Sequence, residues 1–517
     1  MKPDDGRTTA KRNIVTGLVA LYNSESFGVR SLLSVLKGRG KPVCAVFLKD
    51  LVVNKMDDPT EQEYELVLKV LKDNSVDLVA LSVRSPFLRM ARELTARVRA
   101  ELGVPVLWGG THATVSPGDC LRFADMVCVG EGEEALVDVV EALEKDDPVD
   151  GIMNIWTKDG ESVVETDLRP LVADLDSLPT PDLTVEDKFF VDMNQVSVED
   201  PLLKNTRYDI MASRGCPFTC SYCTNSVLKK LYENCGPFIR RRSVSNVLDE
   251  LKAARKRLPR MRKVFFLDEN FVTSKKWLAE FAARYPDEVG LPFMCEVHPT
   301  FVTERLVGLL KEAGLIDVSL GIQSGSESVR MNELDRKVSD AQMMEAMRIL
   351  KEAGIRPTYD IIVDTPFDTA ENLEDAFNFV YGMPRPYNMN FFSMVHFPGT
   401  PLTDRLIREG RIDRDEVEGK STKTLSQWRM SLDYERSKMN QFYGSLFALL
   451  SKSFVPKFLV KLMSRSKILK RNPRVLKPLV ALSNYVKLFG IGVRMFFRGE
   501  ITLHMARKRL KDAGLQK

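Results

Sequence analysis

The chain has 517 residues, 44% apolar and 28% charged, with a net charge of +4. Such a length predicts roughly two to four globular domains, with apolar residues enough for several cores. Eight cysteines do not make a disulfide framework, the N-terminus MKPDDGRTTAKRN lacks the apolar stretch of a secretory signal, and no apolar run is long enough to span a bilayer, so a reducing cytoplasm is expected.

Residues 1–150 alternate two patterns. Apolar, β-branched runs at Ile14–Tyr22, Pro42–Leu48, Asp77–Val83, Val104–Trp108 and Met126–Val129 predict strands. Stretches with helical periodicity lie between or after them, at 27–38, 60–73, 88–101, 117–123 and 132–144. This spacing predicts an α/β fold, a doubly wound parallel sheet of Rossmann type with helices on both faces. Ligands in that architecture sit at the carboxyl ends of the strands, here the loops at 23–27, 84–86, 109–113 and 130–133.

Residues 151–205 carry a short hairpin signal at Lys158-Asp159-Gly160, then the Pro- and acid-rich run DLRPLVADLDSLPTPDL, and are expected to be an ordered linker. A second βα series occupies 206–401. Its predicted strands are Asp209–Ala212, Lys263–Leu267, Phe293–Val297, Val318–Ile322, Thr358–Val363 and Met389–Val395. Helices are predicted at 243–256, 274–284, 303–313, 326–332, 339–353 and 371–381. Six βα units predict a partial (β/α)6 barrel with its active face at the carboxyl ends of the strands.

Residues 402–517 are expected to be mostly helical. From 451 onward they contain 17 Lys and Arg against two acids, a net +15 that leaves the preceding 450 residues at −11. Two readings stand for this region: amphipathic helices lying on an anionic membrane, or helices packed on the barrel with solvated charges. Aromatic stacking platforms are sparse, which argues against nucleic acid.

Between the first strand of the second series and its first helix lies Arg214-Gly215-Cys216-Pro217-Phe218-Thr219-Cys220-Ser221-Tyr222-Cys223. Three thiols in one tight loop suit iron–sulfur ligation and leave one iron of a 4Fe–4S cluster open. A structural zinc site asks for four ligands in paired spacings, and Cys235, twelve residues on, has no partner. The Cys-x3-Cys-x-aromatic-Cys pattern after a barrel strand resembles the radical S-adenosylmethionine (SAM) superfamily. The resemblance implies that Cys216, Cys220 and Cys223 hold the cluster. SAM would chelate its open iron and be cleaved to a 5′-deoxyadenosyl radical, with an external flavodoxin- or ferredoxin-type electron donor. It also places Tyr222, Asp268, Glu269, Gln323 and Ser324 at SAM. Asp268 and Glu269 belong to the segment Leu267–Phe271, and Gln323 and Ser324 to Gly321-Ile322-Gln323-Ser324-Gly325, where the family usually has Glu in place of Gln323. Asp364-Thr365-Pro366-Phe367-Asp368-Thr369 resembles a later family turn without its glycines, and Phe397-Pro398-Gly399-Thr400-Pro401 resembles the segment that closes many such barrels. Among the histidines, His298 is open to a catalytic role or to that of a hydrogen-bonded core or rim residue.

The first 150 residues resemble the cobalamin-binding domain that precedes many radical SAM barrels. Trp108-Gly109-Gly110-Thr111-His112 and Val129-Gly130-Glu131-Gly132-Glu133 carry the resemblance. It implies corrin contacts from Ser82, Arg84, Ser85, Gly109, Gly110, Thr111, Gly130, Glu131 and Gly132. The Asp-x-His-x-x-Gly motif whose His ligates cobalt is absent, since the first loop reads Tyr22-Asn23-Ser24-Glu25-Ser26-Phe27-Gly28. Arg84 occupies a loop that could face the metal instead.

The combined expectation is a cobalamin-dependent radical SAM methylase of an unactivated carbon, acting on a small-molecule or lipid-like substrate. It would be cytoplasmic, with peripheral contact at the inner face of the membrane through the basic tail. The rivals are a radical cyclase or rearrangement enzyme, and a membrane-associated iron–sulfur binding or sensing protein.

Overall fold

The computed structural model describes residues 12–50, 58–414, 417 and 437–497. The chain divides into two compact units. The first takes the chain up to Ser319 together with Glu333–Arg336 and the stretch from Val395; the second takes Leu320–Asn332, Lys337–Met394 and the C-terminal helices.

The first unit opens with β1 (Thr16–Leu21), α1 (Phe27–Gly38), β2 (Val43–Leu48), α2 (Glu61–Asp73), β3 (Leu78–Ser82), α3 (Leu88–Glu101), β4 (Val106–Gly109), the short α4 (Thr111–Val115) and α5 (Pro117–Cys120), β5 (Met126–Cys128) and α6 (Glu133–Glu144). Every residue of β1 and β2 is buried. These strands read as unbroken apolar runs because a parallel sheet covered by helices leaves neither face wet. Tyr64, Val67, Leu71, Leu94 and Val98 cover one face from α2 and α3. Val29, Leu33, Leu36, Leu136 and Val140 cover the other from α1 and α6. Each such burial stabilises by about 1.5–3 kcal/mol. The start of α2 is fixed by a capping box between Thr60 and Glu63, which satisfies two orphan backbone donors.

This sheet has nine strands, in the order β7-β6-β5-β4-β3-β1-β2-β8-β9. The extra four come from residues 151–205: β6 (Ile155–Asp159), β7 (Ser162–Val164), β8 (Lys188–Asp192) and β9 (Gln195–Ser197). The turn at Gly160 between β6 and β7 is the predicted hairpin. β8 pairs in parallel with β2, Ala45 opposite Lys188 through Leu48 opposite Val191. It is hard to read from sequence because its apolar run, Phe189–Val191, is only three residues long and flanked by Lys188 and Asp192. The Lys188 side chain is fully buried and is satisfied by Asp182 and the Thr184 carbonyl.

All six strands predicted for the second series are present. In the first unit these are β10 (Arg207–Ile210), β13 (Lys263–Phe266) and β14 (Phe293–Glu296), followed by β15 (Leu315–Gln323), which continues into the second unit. They pair in parallel, β10 with β13, β13 with β14, and β14 with the first part of β15. Two short strands, β11 (Ser213–Arg214) and β12 (Arg240–Arg241), pair antiparallel around α7 (Thr224–Leu231). Helices α8 (Val244–Arg257), α9 (Lys275–Glu288) and α10 (Glu304–Glu312) complete the repeats. An aromatic cluster of Phe266, Phe271, Phe281 and Phe293, with centroid separations of 4.5–6.1 Å, fills the space under α9. The predicted helix at 326–332 is a single wide turn, Val329–Glu333.

The second unit holds α11 (Asp340–Glu352), β16 (Thr358–Val363), α12 (Ala370–Gly382) and β17 (Asn388–Ser393), with β16 and β17 parallel. α13 (Pro401–Arg408) belongs to the first unit. The predicted helical tail appears in the second unit as α14 (Lys438–Leu450), α15 (Lys457–Ser464), α16 (Lys467–Arg471) and α17 (Leu476–Phe497). Residues 498–517, with His504 and the last basic cluster, lie outside the described residues.

Candidate active site

The cysteine loop follows β11 and ends where Cys223 caps α7. Gly215 opens it with φ +90°, and a Cβ there would stand 2.2 Å from the Phe238 carbonyl oxygen, so only glycine fits. Ser221 pins its middle three ways. Its N–H donates to the Leu334 carbonyl (3.0 Å), its hydroxyl to the Glu333 carbonyl (2.9 Å), and its own carbonyl accepts from Leu402 N–H (2.9 Å). Cys220 is buried, and Cys216 and Cys223 are half-buried. The Arg336 guanidinium reaches Cys220 Sγ at 3.8 Å, and Asn225 Nδ2 reaches Cys223 Sγ at 3.7 Å. Burial pushes the Cys216 thiol up to about 11 and raises Cys223 as well. Ligation by metal would therefore displace protons from these sulfurs. Cys235 lies beyond the far end of α7 and hydrogen-bonds through its carbonyl to Leu171 N–H. Three thiols of one short loop with a charge-bearing donor beside one of them are the donor set of a cluster with one open iron, and among the described residues no three ligating side chains are yet gathered around a metal position.

His298 stacks on Phe218 of this loop at 3.6 Å between ring centroids. Its Nδ1 meets the Thr300 hydroxyl at 2.8 Å, and its N–H donates to Asn270 Oδ1. Burial, with the nearby Arg336 cation, drives its pKa down to about 3. His298 is thus neutral, buried and hydrogen-bonded, with its ring stacked on the loop.

The residues expected at SAM are placed as follows. Tyr222 is half-buried inside the cysteine loop. Asp268 follows β13 and is fully buried, and its carboxylate accepts from Ala212 N–H (3.0 Å) and the Ser213 hydroxyl, with Arg241 at 3.8 Å. Its side chain thus clamps the strand end that leads into the cysteines. Glu269 is exposed and lies within hydrogen-bonding reach of Asn225. Gln323 ends β15 in the second unit, and Ser324 follows it. Gln323 takes a left-handed conformation (φ +66°), unusual for a side chain of its size. The Ser324 hydroxyl accepts from Ser326 N–H at 3.2 Å.

At the carboxyl ends of β1, β3, β4 and β5 a cavity of about 470 Å³ opens. Of the nine residues expected at a corrin, Ser82, Arg84, Gly109, Gly110, Thr111, Gly130, Glu131 and Gly132 line it. Ser85 does not, and its hydroxyl is bonded to His112 Nδ1 at 2.9 Å. The cavity reaches down between the sheet and helices α1 and α6, where Leu18, Ala20, Ala80, Leu107 and Leu136 make it apolar. Bare glycine backbone at the mouth and an apolar slot below suit a large flat ligand with a hydrophobic appendage. Arg84 is exposed there, with its guanidinium over the Phe87 ring at 4.9 Å.

The cavity is also lined by Met211 and Arg214, and Arg214 stands two residues ahead of Cys216. Arg214 forms ion pairs with Glu131 (2.7 Å) and Glu133 (2.6 Å), and Arg240 holds the other side of Glu131 (2.9 Å). Val172 N–H completes the Glu131 carboxylate at 3.2 Å. Burial would raise this carboxyl, but the Arg240 and Arg214 cations hold it below the usual range. Tyr232, at the end of α7, accepts from Glu131 N–H at 2.8 Å. Arg214, Arg240, Met211 and Tyr232 were not singled out from the sequence. The Arg240-Arg241-Arg242 run was the one available signal, and it reads equally as a solvated basic turn.

Comparison with known proteins follows the same division. Residues 15–140 match the B12 binding domain, and residues 210–380 match the Radical SAM superfamily. The chain belongs to the radical SAM superfamily and carries a B12-binding domain ahead of the barrel. These domains imply a 4Fe–4S cluster, SAM and cobalamin. An uncharacterized methyltransferase of Pyrococcus horikoshii is 26% identical over 349 residues, 66% of this chain and 72% of that protein. An anaerobic magnesium-protoporphyrin IX monomethyl ester cyclase of Cereibacter sphaeroides is 28% identical over 370 residues, 69% of this chain and 56% of that one, so the alignment spans little over half of the cyclase. Among solved structures, the cobalamin-dependent SAM radical enzyme OxsB, with aqua-cobalamin and SAM bound, superposes with a TM-score of 0.64 over 91% of this chain and 72% of that one, at 16% identity. That likeness shows a shared fold.

Proposed function

We propose that this protein is a cobalamin-dependent radical SAM methylase acting on an unactivated carbon of a small-molecule or lipid-like substrate. The observation that carries the reading is the adjacency of its two cofactor regions: Arg214 lines the corrin-side cavity and leads directly into the cysteine loop. When bound, the cluster and SAM supply a 5′-deoxyadenosyl radical that removes hydrogen, and cobalamin supplies the methyl group. Cys216, Cys220 and Cys223 hold the cluster. Tyr222 and Glu269 orient SAM, with Asp268 fixing the strand end beneath. Ser82, Gly109, Gly110, Thr111, Gly130 and Gly132 receive the corrin against backbone. Ser85 acts from behind by orienting His112, and Glu131 by orienting Arg214. Arg84 would offer a bound corrin a cation at the cavity lining, and its guanidinium, with no free lone pair, would not ligate the metal. An external flavodoxin- or ferredoxin-type donor supplies the electron, and the basic C-terminal helices give peripheral membrane contact.

The cyclase relative favours a second reading, radical ring closure without methyl transfer. The two separate on the products. Anaerobically reconstituted protein, given SAM and a reductant, is expected to release 5′-deoxyadenosine together with S-adenosylhomocysteine. Deoxyadenosine without S-adenosylhomocysteine selects the cyclase. A Cys220→Ala protein that kept its cluster absorbance and SAM cleavage would sink both.

A further inference from the structure

Large apolar side chains left in solvent gather on the C-terminal helices of the second unit. In α15, Phe458, Leu459 and Leu462 fall within one arc, and Phe458 and Leu462 are each 67% exposed, while Val460 opposite them is buried. In α17, Leu479, Leu482, Val486 and Phe489 form a second stripe, and Leu476 and Ser483 along one edge of it are buried. Ile468 of α16 and Phe489 are 75% exposed. These helices are amphipathic in the reverse sense, with the outward arc apolar. A water-facing helix turns its polar arc outward, and contiguous exposed apolar surface marks a contact.

The charges around this surface carry one sign. Residues 451–490 contain ten Lys and Arg and no acid. Lys457 and Lys461 are turned inward, donating to the Tyr381 and Met383 carbonyls and to Asn378 Oδ1. Arg465, Lys467, Arg471, Arg474 and Lys477 stay exposed beside the apolar arcs. No described helix is long and apolar enough to cross a membrane. A second copy of the chain would bring the same cations against themselves across a two-fold axis, which disfavours that occupant.

We propose that α15, α16 and α17 form an interfacial surface that seats the protein on an anionic lipid bilayer. Phe458, Leu462, Ile468, Leu482 and Phe489 enter the acyl boundary, and Arg465, Lys467, Arg471 and Arg474 lie at the headgroups. This rests on the peripheral contact proposed above and deepens it by naming the surface and the lipid charge. It does not depend on the chemistry of the barrel.

The experiment is co-sedimentation of the reconstituted full chain with phosphatidylcholine vesicles, with and without phosphatidylglycerol. The full chain is expected to bind the anionic vesicles, to release them as salt rises, and to ignore the neutral ones. Phe458→Asp with Leu462→Asp, and separately Leu482→Asp with Phe489→Asp, are each expected to weaken binding by about tenfold. Deoxyadenosine formation in vesicle-free solution stays unchanged, so failure of the surface and failure of the chemistry are told apart. Arg465→Gln with Arg474→Gln should lessen the preference for anionic vesicles. Absence of vesicle binding, or equal binding by parent and Asp variants, overturns the proposal. So does a parent dimer that the Asp variants convert to monomer, RNA binding without vesicle binding, or a loss of thermal stability in the Asp variants that shows the face is covered within the chain.

Discussion

Gly130→Ala adds one methyl group where the corrin-side loop meets the end of α7. Gly130 has φ +95°, and a Cβ there would lie 1.9 Å from Tyr232 Oη and 2.9 Å from its Cζ. Left-handed backbone costs a residue with a Cβ about 1–2 kcal/mol. The tyrosine must also move, losing the bond it accepts from Glu131 N–H at 2.8 Å, worth about 0.5–1.5 kcal/mol. The lower chain entropy of unfolded alanine offsets about 0.4–1 kcal/mol of this. With the residual overlap, the net loss is about 2–4 kcal/mol, or for a unit of this size a fall in thermal midpoint of roughly 3–6 °C. Tyr232→Phe alone should cost about 1 kcal/mol. In the double variant the hydroxyl that collides is gone, so its loss should be smaller than the sum of the two by more than about 1 kcal/mol. Denaturant unfolding of the four proteins measures this. Additive losses, or a neutral Gly130→Ala, would refute the close approach and with it the docking of α7 on the corrin-side loop.

Glu131→Gln should lower the thermal midpoint at neutral pH, because Arg214 and Arg240 lose their shared anion. Glu131 is held below its ordinary value of 4.5, so its contribution is full above that value and is lost as pH falls through the lower folded value. The gap in midpoint between parent and variant should therefore close as the pH is taken below about 4.5; a gap constant with pH would count against the ion pair. Asp268→Ala leaves the Ala212 N–H, the Ser213 hydroxyl and Arg241 without their common acceptor, and should cost about 3–5 kcal/mol. The cluster absorbance should then bleach faster under chelator, whereas Asp268→Asn, which keeps an acceptor oxygen, should bleach at an intermediate rate.

Most strands were legible because burial on both faces writes an unbroken apolar run, as in β1 and β2. The cysteine loop was legible because three ligands of one centre must be close in sequence when a single turn presents them. β8 was not, since its apolar run, Phe189–Val191, is only three residues long between Lys188 and Asp192, and Lys188 reads as a surface residue until Asp182 is known to answer it. Asp268 was legible as a residue at a strand end, but not as a clamp. Its partners Ala212 and Ser213 stand over 50 residues away, and a backbone donor leaves no mark in sequence. Glu131 was found through the glycines around it, and its partners Arg214 and Arg240 were missed for the same reason of distance along the chain.

That network bears on how the two cofactor regions keep their spacing. Apolar contact is tolerant of sliding, since its energy depends on area and little on direction. Glu131 instead fixes Arg214 and Arg240 at 2.7–2.9 Å, with the Val172 N–H as a further bond and Tyr232 docked on its own N–H. Each of these bonds is directional and weakens with a small displacement. Replacing an ion pair shielded from water with apolar groups can leave stability unchanged, so the distinct contribution of this half-buried network is register. Here the register set is that of the residue two positions before Cys216 against the mouth of the corrin-side cavity. Radical chemistry divided between two cofactors would depend on such a fixed geometry, and the Glu131 carboxylate, at the lining of the cavity, ties Arg214, two residues before Cys216, to Arg240.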